Sequence, residues 1–155
     1  MRAIKIDAHA QTVTEIELKD YDWRTQAAAI GFGCEYIELI SYVNQEDDVL
    51  MGDEEALFKE GQAFFWWKGY PQPLAGNAII VGTNDEGDTV APSMTLAEAQ
   101  EAVDWTTPAR AVEVRNQQRA EAETMAAMMN MRGGAFVIVA APVLSTNEDG
   151  TYPGM

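Results

Sequence analysis

The sequence predicts an α+β protein: a mainly antiparallel β-sheet with one short N-terminal helix and two helices in the C-terminal half packed against it. Three observations carry this. The chain opens with two short alternating stretches separated by a three-residue turn, the mark of a β-hairpin. Apolar, β-branched runs then follow one another without regular helical spacers, which disfavours a doubly wound parallel sheet. The long helical patterns come late and together, after residue 95.

Residues 2–8 place Ile4 and Ile6 on one face and Lys5 and Asp7 on the other, a half-buried strand. Residues 12–18 alternate again, with Thr14, Ile16 and Leu18 expected inward. Asp20 or Asp22 caps a short helix, WRTQAAAI, which Gly31 and Gly33 stop. Tyr36 to Val43 is β-branched and aromatic and reads as a strand. A polar turn, residues 44–47, leads to a short strand at Val49–Met51.

Ala63 to Lys68, AFFWWK, is the most apolar strand, and both of its period-2 faces are aromatic. Each such ring removes roughly 150–250 Å² from water when buried. At about 25 cal/mol per Å² that is of order 4–6 kcal/mol as an upper figure. The strand is therefore expected either to be covered on both faces or to offer one face to a partner. Pro71 and Pro73 interrupt pairing, and Ala78 to Gly82 reads as a central strand.

Thr95 and Glu98 match a capping box that opens the helix TLAEAQEAVDW. Thr107-Pro108 starts a longer helix, running to about Met131 and ending at Gly133-Gly134. A last apolar strand follows at 135–140, and residues 144–155 are expected to form a flexible tail. The predicted order is β-β-α-β-β-β-β-α-α-β in one domain, 1–143, with its only seam near Asp104–Pro108.

Length and composition fit one such domain: 155 residues, 47% apolar and 23% charged, can bury a core without staples. No apolar window is long enough to cross a bilayer, and the N-terminus lacks the apolar core of a signal peptide. One cysteine, Cys34, excludes an intramolecular disulfide and suits a reducing compartment, so a cytoplasmic address is expected.

Charge is the unusual property. Twenty-five acids against ten bases leave a formal charge of −15, with a pI near 4.2. That field repels phosphate backbones and acidic membranes, so direct nucleic-acid or membrane binding is not expected and a basic protein partner is.

No catalytic motif stands out. Cys34 and His9 could form a nucleophilic pair, but no flanking motif supports one, and a buried thiol beside a turn histidine explains both. The acids Glu46, Asp47, Asp48, Asp53, Glu54 and Glu55 could gather a hard cation, as a metal-dependent hydrolase would need. Their spacing misses the EF-hand order, and solvated acidic turns are the plainer account. No cofactor motif is present: Gly31-Phe32-Gly33 is neither a Walker loop nor a dinucleotide fingerprint.

Arg110, Arg115 and Arg119 share one helix and concentrate what positive charge there is. They could hold a phosphate while Trp66 or Trp105 stacks a base, as a nucleotide-sequestering protein would; pairing with Glu113, Glu121 and Glu123 competes. Met125, Met128, Met129 and Met131 share a helical spacing expected to bury, with self-association of that helix as the other reading.

The phrases GDEEALFK, FFWW, GYPQPLAGNAIIVG and MTLAEAQEAV together resemble a small uncharacterised domain family of bacteriophages, prophages and their hosts, over about residues 1–106. The resemblance implies a phage or mobile-element accessory protein acting inside an infected bacterium. It brings no active-site residues with it. Charge and resemblance converge on a non-enzymatic protein that binds a host or defence protein, mimicking the charge of DNA. Its contact surface is expected at Glu46–Asp48 and Asp53–Glu55 with Phe65 or Trp67.

Overall fold

The structure, a computed structural model, describes residues 1–131 and 142–155. The strand expected at 135–140 and the helix stop at Gly133-Gly134 lie outside the described residues. The chain is α+β, and every strand pairing among the described residues is antiparallel.

The elements are β1 (Arg2–Asp7), β2 (Thr12–Glu17), α1 (Trp23–Ile30), β3 (Ile37–Tyr42), β4 (Asp48–Asp53), a 3₁₀ turn (Ala56–Phe58), β5 (Phe64–Trp67), β6 (Leu74–Ala75), β7 (Ala78–Thr83), β8 (Thr89–Val90), α2 (Leu96–Ala102), β9 (Val103–Thr106) and α3 (Pro108–Met131). They form two sheets. The larger runs β2-β1-β7-β4-β3, with β8 added to the end of β7. The smaller runs β6-β5-β9.

The Ile-Ile-Val strand is central, as its unbroken apolar run predicts. β7 lies between β1 and β4, with Ile80 opposite both Ile4 and Leu50. Gly82 is required there by close approach: a Cβ on it would sit 2.6 Å from the Ala91 carbonyl oxygen. The larger sheet is covered on both faces. Ala3, Val49, Ile79 and Val81 pack under α1 through Ile30 and Ala29. Ile4, Ile6, Leu50 and Ile80 meet Phe65, Trp67, Leu74 and Val103 of the smaller sheet and Ala99 of α2. The two-sided burial accounts for this hairpin arm, where Val13 of β2 sinks toward the smaller sheet and Leu18, just past the end of β2, toward α1. Thr14, expected inward, is exposed.

The caps follow the sequence. Asp22 accepts a hydrogen bond from the Arg24 amide at the start of α1, and Gly31, at φ +75°, ends it. Thr95 and Glu98 form the full capping box of α2. That helix stops earlier than its pattern suggested: Val103–Thr106 leaves the helix and pairs with β5 as β9. β-branched and aromatic side chains at 103 and 105 favour that outcome once an open strand edge lies alongside.

The far face of the smaller sheet is closed by α3 and the C-terminal segment. Phe64 packs with Ala111, Val112, Leu144 and Tyr152. The tail expected to be flexible is therefore docked. Tyr152 is fully buried, edge-on to Phe64 at 5.3 Å, and its hydroxyl donates to the Leu57 carbonyl at 2.6 Å. Asn116 holds Leu144 by a two-way bond to its backbone. The methionine stripe departs from expectation in the opposite sense: Met125, Met128 and Met129 stand exposed.

Candidate functional site

The acidic segment does not form one patch. Its members divide between the two ends of β4, a six-residue strand of about 17 Å. Glu46 and Asp47 are exposed in the turn before it, and Glu54 and Glu55 are exposed after it. Asp48 and Asp53 are buried. The Asp48 carboxylate accepts from the Ser93 amide and hydroxyl, the Met94 amide and the Asn44 side chain. It locks β4 to the loop entering α2, which Arg2 also grips through the Pro92 and Met94 carbonyls. Asp53 caps the Glu55 amide and pairs with Lys59. Both acids hold the fold together, and both are buried away from the surface on which a contact was expected. Among the described residues, no group of three or more His, Cys, Asp or Glu side chains could hold a metal ion.

Phe65 and Trp67 are also removed from the expected contact surface. Both lie buried between the two sheets. The apolar energy of FFWW goes into joining the layers, because β5 sits inside the molecule with covered faces on either side.

Exposed aromatic surface appears instead along β3. This strand ends the order of the larger sheet, so its outer edge carries no partner strand among the described residues. Tyr36, Leu39 and Tyr42 are about half exposed. Glu35, Glu38, Glu54 and Glu55 surround them, all exposed. Glu38 is held above the usual glutamate range, first by burial and then by the charges of Glu54 and Asp53. Trp23 of α1 extends the surface, stacked on Tyr36 at 6.2 Å with the Arg24 guanidinium 4.4 Å over its ring.

Beside this edge opens a cleft of about 270 Å³. Glu38, Leu39 and Ile40 form one wall, Ala56, Leu57 and Phe58 another, and Tyr70, Gln72 and Arg115 the third. Arg115 reaches it from α3 and donates to the Pro73 carbonyl at 2.6 Å. Burial pulls its pKa below the usual arginine range, against the opposing influence of Tyr152 and Tyr70.

The three arginines grouped by sequence are thus not a cluster. Arg110 pairs with Glu113 three residues on, and Arg119 with Glu123 four residues on. Arg115 has no acid at either spacing, since Ala111, Val112, Gln118 and Arg119 occupy those positions. That absence was a readable signal that grouping the arginines concealed. Trp66 and Trp105 are half-buried in the smaller sheet, facing Asp104 and Phe65 in register. Neither lines the cleft.

His9 and Cys34 have structural partners. His9 stacks on Phe32 at 4.0 Å and shares a hydrogen bond with Gln62. The Cys34 thiol contacts the Tyr36 carbonyl, and burial, aided by the Asp53 charge, pushes its pKa up to about 11. A thiol so placed is protonated at neutral pH and is a poor nucleophile.

No family model, curated protein or solved structure matches the chain. Among the described residues, no helix is long and apolar enough to cross a membrane.

Proposed function

We propose that this chain is a non-enzymatic accessory protein of phage or mobile-element type that binds a basic host or defence protein through the acidic, aromatic margin of its larger sheet. The observation that carries the reading is the edge of β3, which has no partner strand among the described residues and where Tyr36, Leu39 and Tyr42 are exposed near Glu35, Glu38, Glu54 and Glu55. Aromatic anchors supply contact area at low entropic cost, while like-signed acids around them select a cationic partner and speed the encounter. With a net charge of −15, the protein competes for surfaces that otherwise take nucleic-acid phosphate. The phage setting rests on the likeness of residues 1–106 to the phage domain family.

The test is retention from bacterial lysate on immobilised protein. At about 50 mM salt a basic, nucleic-acid-handling protein is expected on the column. Raising salt to roughly 500 mM, where the Debye length falls below 5 Å, should release it, and so should duplex DNA. A variant combining Tyr42→Ser, Glu38→Lys and Glu54→Lys should retain none. An empty column at low salt, or equal retention by the variant, overturns the proposal.

A further inference from the structure

We propose that the cleft between β3, the 3₁₀ turn and α3 binds a small zwitterion, one carboxylate at Arg115 and one ammonium at Glu38 and Glu54, with a short apolar body between them. This does not rest on the protein-binding reading; it concerns the interior of the cleft and a ligand of a different class.

The first support is the isolation of Arg115. Among the described residues the other half-buried cations each have a carboxylate partner: Arg2 with Glu15, Lys5 with Asp7, Lys59 with Asp53 and Arg119 with Glu123. Arg115 has none, in a chain where acids outnumber bases by 25 to 10. Of its five N–H donors, one is engaged among the described residues, by the Pro73 carbonyl. Arginine stays charged at any physiological pH, so a partly dehydrated cation faces the cleft with donors to spare.

The second support lies opposite. Glu38 and Glu54 line the same cleft, and neither takes part in an ion pair among the described residues. The third acid, Asp53, is already committed to Lys59. Charges of opposite sign thus line one cavity with no ion pair between them among the described residues. A ligand with opposite charges at its two ends satisfies both. A phosphate would meet Arg115 but also the field of three carboxylates. A simple cation would leave Arg115 unpaired.

The third support is the apolar lining. Leu39, Leu57 and Phe58 line the same cleft, offering apolar surface to a short hydrocarbon body. The cavity of about 270 Å³ falls just below the roughly 300–1,000 Å³ of pockets for drug-sized ligands. That suits a molecule the size of an amino acid.

The experiment is calorimetric titration and thermal melting of the full chain with L-leucine, L-lysine and 5-aminopentanoate, which space the two charges differently. Pentanoate lacks the ammonium, pentylamine lacks the carboxylate, and inorganic phosphate tests the bare anion. At least one zwitterion should raise the melting temperature by linkage at about 10 mM. Both single-charge analogues and phosphate should bind at least about tenfold more weakly. Arg115→Gln should abolish binding, and Glu38→Gln with Glu54→Gln should weaken it while leaving the melt of the free protein cooperative. Should Arg115→Gln not fold, the analogue series on the unaltered chain decides alone. The proposal is overturned if no zwitterion binds, if pentanoate or phosphate binds as well as 5-aminopentanoate, or if Arg115→Gln binds unchanged.

Discussion

At the scale of single residues, burial separates acids that look alike in sequence. Asp48 and Asp53 are consumed by hydrogen bonds and an ion pair, whereas Glu46, Asp47, Glu54 and Glu55 stand exposed to water. Glu38 is exposed as they are, yet partial desolvation at the sheet edge and the charges of Glu54 and Asp53 raise its pKa. Its proton is held more tightly in the folded chain than in the unfolded one. Stability is therefore full below the unfolded pKa and falls as pH rises through the folded value. The window opens at the ordinary glutamate pKa of roughly 4.3 and extends upward. Thermal melts from pH 3.5 to 7.5, in steps of about half a unit, should show the wild type losing ground to Glu38→Gln across that window and nowhere below it. Parallel curves would show that the neighbours of Glu38 do not act on it.

At the scale of elements, the C-terminal segment carries the clearest stability prediction. Tyr152 is buried against Phe64 and tied to Leu57, while its own carbonyl accepts from the Gly61 amide at 2.7 Å. Tyr152→Ala should cost about 3–5 kcal/mol, as other buried aromatic truncations do. A residue in a loose tail would cost under about 0.5 kcal/mol in the same denaturant titration. Sequence could not reveal this docking, because turn signals such as Asn-Glu-Asp-Gly and Pro-Gly report local bends and not what a segment lies against. It did reveal the elements that leave a local mark in the chain: the alternation of β1, the cap at Asp22, the box at Thr95 and the unbroken apolar run of β7. It lost β9, where Val103–Thr106 continues a helical pattern yet is claimed by the edge of β5. It lost β6 and β8, two residues each, which exist only through their partners. The same limit governs the candidate site. Glu38, Phe58, Tyr70 and Arg115 come from four segments, and no spacing along the chain places them around one cleft.

At the scale of the whole molecule, charge dominates. Several ion pairs, such as Arg24–Asp22 and Arg110–Glu113, lie on the surface, where each contributes about 0–1 kcal/mol. Self-repulsion at −15 is expected to outweigh them. Raising salt from about 10 mM to about 200 mM shortens the Debye length from roughly 30 Å to 7 Å, and the melting temperature should rise. A fall would mean that surface pairs, and not repulsion, set the balance. The layering carries a further consequence, for the order in which the chain assembles. β1 finds its inner neighbour only in β7, more than seventy residues later, and β4 waits for the same strand. Until residue 83 has left the ribosome, the β1–β2 and β3–β4 hairpins each present an apolar strand with an unsatisfied edge. Long-range pairing of this kind folds slowly and leaves the nascent chain sticky. One insertion, that of β7, then closes the gap between both hairpins at once.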